Sequence, residues 1–348
     1  MEFSLKTRVV FGPDSLSALE SLAEQPVFLV TDRFLNESGL VRRVTGHLRG
    51  PVTVFDAVTP DPSLGTVAQG VRAFQESGSR VVVAVGGGSP MDCAKAIRHF
   101  GGAGCPLWCV PTTAGTGSEM TAFAILTDTE AGVKHALVDE ALLPDVALLD
   151  PGFLEGIPPK VTADTGMDVL SHAVEAYVAR GASAFTDAWA EKAFALACGA
   201  LTPAYQGDGG AKARMLEASC LAGMAFNAAG LGACHALAHA IGGAYHLPHG
   251  AINARLLPAV VDWHAAHLPE TSQKYARLAA VAGWTPTARG LSSSLRRLAR
   301  QLGQSGGVSV QIDPKRVIPV ALQDRCAPFD PAKLDEAGLE EVLARVVW

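Results

Sequence analysis

Val81-Val82-Val83-Ala84-Val85 runs directly into Gly86-Gly87-Gly88-Ser89-Pro90-Met91-Asp92, and a stretch of helical character follows at Cys93-Ala94-Lys95-Ala96-Ile97. The apolar run predicts a buried strand, and glycines between a strand and a helix let the backbone approach a phosphate closely. The start of the helix adds free N–H groups and a positive dipole end. The stretch therefore predicts a strand, a loop that binds a dinucleotide phosphate, and a helix. Three glycines after a strand can also form a simple tight turn, and the pattern is not G-x-G-x-x-G.

Other apolar runs place this unit in a larger sheet. Val27–Val30, Val52–Phe55 and Leu107–Val110 predict further strands. Apolar residues at helical spacing predict a helix over 64–74, with a cap in the Asp61-Pro62-Ser63 turn. This alternation of strands and helices predicts a parallel sheet with helices on both faces.

The residue composition of the chain changes after about residue 155, where alanine-rich segments such as 188–200 and 211–229 predict helices. The prolines of Ile157-Pro158-Pro159-Lys160 make this stretch the expected joint, because prolines end regular structure. We therefore expect an α/β dinucleotide-binding domain with a parallel sheet over 1–157 and an all-α domain over 158–348.

Bulk properties exclude several classes of partner. The 348 residues are 49% hydrophobic and 18% charged, with a net charge of -6, as in globular proteins. The chain has no basic stripe or polybasic segment, so neither nucleic acid nor a membrane surface is an expected partner. The N-terminus lacks the pattern of a signal peptide, which predicts a cytoplasmic protein. The seven cysteines include no C-x-x-C pair, so reduced thiols are expected rather than disulfides or a cysteine zinc site.

A second loop, Pro111-Thr112-Thr113-Ala114-Gly115-Thr116-Gly117-Ser118-Glu119, follows the strand at Leu107–Val110. Ligands bind beyond the carboxyl ends of parallel strands, so this loop and the glycine loop are expected to form one site. Its hydroxyls can bond a phosphate, a ribose or an amide. Without the neighbouring glycine loop, the same residues would predict only a surface turn.

Asp32 follows the first strand of the sheet. A carboxylate there can bond ribose hydroxyls and repel a 2'-phosphate, which favours NAD(H) over NADP(H). The adjacent Arg33 weakens that argument, and Thr31-Asp32 would also suit a helix cap.

Two histidine-bearing stretches predict a metal site: Asp168-Val169-Leu170-Ser171-His172, and His235-Ala236-Leu237-Ala238-His239 followed by His249. Residues four apart share one helix face, so Asp168 and His172 can hold an ion from the same side. With His235 and His249 they would form a shell with an open position, which suits Fe²⁺ or Zn²⁺ rather than calcium. A single Asp-x-x-x-His is more often an ordinary helix face, but its combination with the glycine loop favours the metal.

Together these motifs resemble the iron-containing (group III) alcohol dehydrogenases, the family that includes lactaldehyde reductase and 1,3-propanediol dehydrogenase. The resemblance covers the chain from Val10-Phe11-Gly12 to Val347-Trp348. It implies a dinucleotide-binding α/β domain, a C-terminal helical domain, and the binding of NAD(P) and a divalent metal.

Residue by residue, the resemblance implies metal ligands, usually for iron and sometimes for zinc, at Asp168, His172, His235 and His249. It implies cofactor contacts at Asp32, Gly87, Gly88, Ser89, Asp92, Thr112, Thr113, Thr116 and Lys134. His239 matches a histidine near the nicotinamide and the substrate, and it either transfers a proton or only shapes the pocket. We expect His246, His264 and His267 to lie at the surface or at helix ends.

The expected reaction is metal-dependent hydride transfer between a small primary alcohol and its aldehyde, mainly in the reducing direction. The segment Phe100–Pro106 is shorter than in many family members and resembles maleylacetate reductases, whose reaction does not clearly require a metal. A lyase similar to dehydroquinate synthase would need a cluster of Lys and Arg, which 164–176 and 231–251 lack. A non-enzymatic NAD or metal sensor is a third alternative.

The expected quaternary state is a homodimer. The segment Phe3–Phe11 alternates in polarity as an edge strand does, and edge strands often pair across subunits. The expected partner is otherwise only the small alcohol or aldehyde.

Overall fold

A computed structural model describes residues 5–102, 104–130, 133–304 and 310–346. The chain divides into two compact units, Met1–Glu155 and Gly156–Trp348. The division falls after residue 155, whereas the sequence predicts it after residue 157. The predicted features at Phe3, Ala103 and Val347-Trp348 lie outside the described residues.

The first unit contains the strands β1 (Arg8–Phe11), β2 (Val27–Asp32), β3 (Val52–Val58), β4 (Val81–Gly86), β5 (Leu107–Pro111), β6 (Phe123–Asp128), β7 (Val133–Val138) and β8 (Val146–Leu149). Six of them form one sheet in the order β1-β8-β5-β4-β2-β3, and every pair in it is parallel. β6 and β7 form a separate antiparallel hairpin. The predicted parallel sheet and the four strands predicted at β2, β3, β4 and β5 are confirmed, whereas β6, β7 and β8 were not predicted.

The central strand β4 shows why helices cover both faces of the sheet. All its residues are buried. Val81, Val83 and Val85 belong to one hydrophobic cluster, and Val82 and Ala84 belong to another. Successive side chains of a strand point to opposite faces, so each face packs against its own layer.

The helices of the first unit are α1 (Arg33–Glu37), α2 (Leu40–Thr45), α3 (Leu64–Ser77) and α4 (Gly88–Gly101), with short 3-10 segments at Ser15–Leu22, Ser118–Met120, Glu140–Leu142 and Pro151–Leu154. The predicted helix at 64–74 is α3, and the Ser63 side chain caps it by accepting from the Thr66 N–H at 3.0 Å. The helix predicted after the glycine loop is α4, whose first residue is Gly88.

The edge strand predicted within Phe3–Phe11 is β1, which begins only at Arg8. It pairs with β8 on one side and ends the sheet on the other. Phe11 at its end is 69% exposed.

The second unit contains the helices α5 (Pro159–Val178), α6 (Ala184–Tyr205), α7 (Gly209–Ala229), α8 (Ala233–Tyr245), α9 (His249–His267), α10 (Pro269–Val281), α11 (Ala288–Gln301), α12 (Pro314–Gln323) and α13 (Glu336–Ala344), and a 3-10 turn at Ala327–Phe329. No strand occurs in the described residues after 155, so the all-α prediction is confirmed. The buried helix α5 packs against α6, α7 and α9.

No single helix in the described part of the chain is long and apolar enough to span a membrane, and only the pair α7 and α8, bent by 103°, meets the length and composition criteria together.

Candidate metal centre and cofactor loops

Three helices of the second unit bring the predicted metal ligands together. Asp168 and His172 lie one turn apart on α5. His235 lies in the first turn of α8, and His249 is the first residue of α9, after Pro248. Proline suits the position just before a helix because its missing N–H would have no partner there.

The donor atoms converge on one point beside Asp168. Its Oδ1 lies 3.5 Å from the Nε2 atoms of both His235 and His249, and 3.9 Å from the Nε2 of His172. The donor atoms of Asp168, His235 and His249 all lie within 4.8 Å of one another. The His172 ring stacks on the His235 ring, with 4.6 Å between the ring centroids. It also stacks on the Phe226 ring, at 4.4 Å.

These distances fit a transition-metal site. Donors that bind iron or zinc at about 2.0–2.1 Å lie about 3.0 Å apart at right angles and about 3.4 Å apart in a tetrahedron. The separations of 3.5 Å from Asp168 Oδ1 are close to that range, and that of His172 is slightly wider. One carboxylate and imidazole nitrogens are the ligand types that Fe²⁺ and Zn²⁺ accept. The residues present therefore fit such an ion.

The charges of the site suit a cation. Burial opposes ionisation of Asp168, yet the adjacent His172 and His249 hold the pKa of its carboxyl well below its usual range. Burial also opposes the charged form of His235, but Glu175 and Asp168 raise the pKa of its ring to about 9. Because a metal binds only the deprotonated nitrogen, an ion entering the site has to displace that proton.

Asn253 is a further residue at this point, and it was missing from the predicted set. Its side chain is fully buried, and Nδ2 donates to Asp168 Oδ1 at 2.7 Å. The same nitrogen lies 3.1 Å from His249 Nε2 and 3.3 Å from His235 Nε2. Asn253 follows His249 by four residues on α9, so helical spacing from a predicted ligand would have identified it.

His239 lies next to the predicted ligands and has a carboxylate partner. Its Nδ1 is 2.9 Å from Asp324 Oδ2, and its ring stacks on that of His249 at 5.3 Å. Burial opposes ionisation of Asp324, but the hydrogen bond from His239 lowers the pKa of this carboxyl. Cys326 lies within 4.8 Å of both donors, so His239, Asp324 and Cys326 form a second group of metal-ligand type.

His264 lies in the last turn of α9, at the predicted helix end, but it is not at the surface. Its side chain is 1% exposed, because Tyr275 and Asp330 hold both ring nitrogens at 2.7 and 3.0 Å. A ring with both nitrogens hydrogen-bonded can be buried inside a helical bundle. His246 directly follows the end of α8, and His267 is the last residue of α9, as expected.

In the first unit, the two predicted loops lie side by side because they follow the paired strands β4 and β5. The Thr112 N–H donates to the Gly86 carbonyl at 3.0 Å. A Cβ atom at Gly87 would lie 3.1 Å from Thr113 Oγ1, and one at Gly88 would lie 3.0 Å from Thr116 Cγ2. Glycine at both positions therefore lets the N-terminus of α4 approach the threonine loop, and these residues can together surround a phosphate.

Asp92 faces the interior of the first unit. Its Oδ1 accepts from Ser118 Oγ at 2.7 Å, and its Oδ2 accepts from the Ile125 N–H at 3.0 Å. The fully buried Lys95 also donates to Ser118, at 2.8 Å. These bonds tie α4 to the threonine loop and to β6, so the structure gives Asp92 a role in shaping the loops.

Ser89 and Lys134 are connected through Asp61, which the sequence did not indicate as a site residue. The Asp61 N–H donates to Ser89 Oγ at 3.3 Å, and Asp61 Oδ1 lies 2.7 Å from Lys134 Nζ. Asp61 has a positive φ of 56°, which is uncommon outside glycine. Asp32 caps α1 by accepting from the Leu35 N–H at 2.8 Å through Oδ1.

Both units of the chain match models of known protein families. The model of the family "Iron-containing alcohol dehydrogenase" matches residues 6–151, and that of the "Fe-containing alcohol dehydrogenase family, C-terminal" matches 162–347. The chain is 44% identical to 1-propanol dehydrogenase PduQ of Salmonella typhimurium over 86% of this chain and 83% of that protein. It is 34% identical to the NADPH-dependent butanol dehydrogenase of Clostridium saccharobutylicum over 100% and 98%. The crystal structure of a 1,3-propanediol oxidoreductase superposes with a TM-score of 0.92, at 34% identity over 99% of both chains.

Proposed function

Because the chain belongs to the iron-containing alcohol dehydrogenase family, whose members interconvert alcohols and aldehydes, we propose that its substrates are small primary alcohols and their aldehydes, mainly in the direction of reduction. The observation that supports this most is the convergence of Asp168, His235 and His249 on one point, with His172 beside them. Two relatives named for propanol and butanol support a short substrate.

Asp168, His172, His235 and His249 hold the metal in this proposal. When bound there, a divalent ion, iron before zinc, would supply Lewis acidity toward the oxygen of the substrate, and a nicotinamide would supply or accept the hydride. The protein contributes four candidate ligands on helices rather than on loops, and these helices would hold the ion in one position.

His239 holds the proton that the alcohol oxygen loses or gains. Its Nδ1 is bonded to Asp324, so its Nε2 is the nitrogen left to exchange a proton. The stacking of its ring on His249 supports this role, because it places His239 beside a predicted ligand.

The backbone of the glycine loop and the hydroxyls of the threonine loop bind the cofactor. Gly87, Gly88 and Ser89 lie at the N-terminus of α4, where N–H groups and the helix dipole favour a pyrophosphate. Thr112, Thr113 and Thr116 come from the neighbouring loop. Asp92 acts through Ser118 in this loop, and Lys134 acts next to Ser89.

Asp32 favours NAD(H) over NADP(H) in this proposal. Its Oδ1 caps α1, and a second carboxylate oxygen is available for ribose hydroxyls. A relative named as NADPH-dependent shows that preference has to be measured for this chain.

The enzyme is also proposed to be a cytoplasmic homodimer. Among the described residues no strand pairs with the outer edge of β1, and the exposed Phe11 lies at its end. Light scattering of the purified protein would test this, and a monomer at micromolar concentration would contradict it.

The function is tested by NADH and NADPH oxidation with metal-free protein and a panel of short aldehydes. Fe²⁺, Zn²⁺ or no metal is added back under anaerobic conditions. We expect turnover only with metal, and faster with NADH. Turnover without metal would favour a maleylacetate reductase-like enzyme, which the short Phe100–Pro106 segment resembles. No turnover with any aldehyde would contradict the proposed substrate class.

A further inference from the structure

We propose that Glu175 is a positioning residue for the metal site, which holds His235 so that its Nε2 faces Asp168 and His249. The inference rests on the proposed metal-dependent function. It concerns a residue that lies seven positions after Asp168 on α5 and three after His172, and therefore on the same side of that helix.

The Glu175 carboxylate is buried and accepts three N–H donors. Its side chain is 3% exposed. Oε1 accepts from the Cys234 N–H at 2.8 Å, and Oε2 accepts from the His235 N–H at 3.3 Å. Oε2 also contacts Nδ1 of the His235 ring. Because a carboxylate can only accept, this contact places a ring proton on Nδ1, so Nε2, which faces Asp168, is the nitrogen that gives up its proton to bind a metal.

The same carboxylate fixes the start of the helix that carries His235. The first N–H groups of a helix have no partner within it, and those of α8 are buried. Glu175 satisfies two of them, and Asp330 satisfies the third by accepting from the Ala233 N–H at 2.7 Å. Negative charge at a helix N-terminus is stabilised by the helix dipole, which compensates for burial of both carboxylates.

The two carboxylates pack closely against the backbone at this helix start. A Cβ atom on Gly232, the residue before α8, would lie 2.5 Å from Asp330 Oδ2 and 3.1 Å from Glu175 Oε1. Any larger residue there would have to displace the Asp330 carboxylate, so glycine lets both carboxylates approach the backbone. As a result, α5 supplies two predicted ligands directly and sets the position and the ring orientation of a third through Glu175.

Removing this support should weaken metal binding without removing any ligand. Loss of a carboxylate partner of a metal-bound histidine typically costs about 10–100-fold in metal affinity. In Glu175→Gln the side chain keeps its size but has one acceptor oxygen in place of two. At least one of the three N–H donors then faces an NH₂ group, and the His235 ring loses its fixed orientation.

The test is Zn²⁺ titration of metal-free wild-type and Glu175→Gln protein, with the dissociation constant of NADH measured in parallel. We expect Zn²⁺ binding to weaken about 10–100-fold and NADH binding to change by less than about twofold. Glu191→Gln is the matched control, because Glu191 also accepts from a buried neighbour, Tyr177 Oη at 3.0 Å, but touches no predicted ligand. Equal Zn²⁺ affinity in Glu175→Gln and in wild type would overturn the inference.

A double-mutant cycle separates positioning from general destabilisation. If Glu175 acts through His235, Glu175→Gln should cost little further affinity in a His235→Ala background. An undiminished cost there would overturn the inference. Absence of Zn²⁺ binding by the wild-type protein would instead contradict the proposed function, so the two failures are distinguishable.

A wild-type measurement covers the case in which Glu175→Gln does not fold. In ¹⁵N-histidine-labelled, zinc-loaded protein, long-range ¹H–¹⁵N spectra report which ring nitrogen carries the proton. We expect the proton of His235 on Nδ1 and the metal shift on Nε2. The opposite tautomer would overturn the inference.

Discussion

Asn253 donates a 2.7 Å hydrogen bond from Nδ2 to Asp168 Oδ1, the oxygen on which the histidine nitrogens converge. The two residues lie on different helices, α9 and α5. Because Asn253 is fully buried, its amide has no water to replace this bond. The bond therefore fixes the orientation of the predicted carboxylate ligand.

Replacing Asn253 by Ala should weaken metal binding although no predicted ligand is lost. We expect the Zn²⁺ dissociation constant to rise about tenfold, because Asp168 gains rotational freedom. Isothermal titration calorimetry measures this directly. Asn36→Ala is the matched control, because Asn36 Nδ2 also donates to a carboxylate at 2.7 Å, that of Asp56 in the first unit. Equal weakening in both variants would argue against a local effect.

His249→Ala should remove the metal and the activity while leaving the cofactor site intact. The loss of one of four ligands lowers bound metal well below one per chain and turnover by more than about 100-fold. NADH binding should stay within about twofold of wild type, because its loops belong to the first unit. Elemental analysis and fluorescence titration measure the two quantities, with His267→Ala on the same helix as control. Turnover close to wild type would show that His249 is not a ligand.

Asp32→Ser should relax the preference against NADPH. Serine keeps an N-cap acceptor for α1 but removes the charge that repels a 2'-phosphate. We expect the ratio of kcat/KM for NADH to kcat/KM for NADPH to fall about tenfold. This change corresponds to a loss of roughly 1.4 kcal/mol of discrimination between the two cofactors. Asp335→Ser makes the same Asp-to-Ser exchange at the N-cap of α13 and serves as control. An unchanged ratio would place cofactor selection elsewhere.

Glu119→Gln should change how stability depends on pH. Glu119 is 1% exposed, its Oε1 has no hydrogen-bond partner among the described residues, and burial raises its pKa from 4.5 to about 7. As the pH rises, the unfolded chain loses this proton before the folded one does, so the contribution of Glu119 to stability is present below about pH 4.5 and is lost by about pH 7.

Denaturant unfolding at pH 4.5 and at pH 8 measures this effect. The free energy of unfolding of wild type relative to Glu119→Gln should fall between these pH values by a few kcal/mol, on the order of 1.4 kcal/mol per unit of pKa shift. The same change at Glu140, whose side chain is 78% exposed, is the control. A wild-type-minus-variant difference that does not vary with pH would contradict the raised pKa.

The sequence predicts the central strands because their residues are buried on both faces, and such strands are continuous apolar runs. It does not identify β8, whose Val-Ala-Leu-Leu is short and equally suited to a helix. β8 pairs with β1, which lies at the opposite end of the first unit in sequence. Such long-range pairing cannot be derived from the periodicity of either segment.

The sequence predicts the site residues whose own side chains suit metal binding. It misses the residues that only hold those side chains in place. Asp168, His172, His235 and His249 combine ligand types with helical spacing. Glu175, Asn253, Asp324 and Asp330 hold those rings and helix ends across 59 to 97 residues of chain, as from Cys234 to Glu175 and from Ala233 to Asp330. Such long-range partners depend on how the helices pack, although the helix-face spacing of Glu175 and Asn253 gives a usable clue.

The most direct test of the proposed metal site is diffraction at the iron edge from crystals loaded anaerobically with Fe²⁺. We expect one anomalous peak at about 2.0–2.2 Å from a carboxylate oxygen of Asp168 and from Nε2 of His172, His235 and His249. A peak bound instead by His239, Asp324 and Cys326, or no peak in crystals of protein that reduces aldehydes, would contradict it.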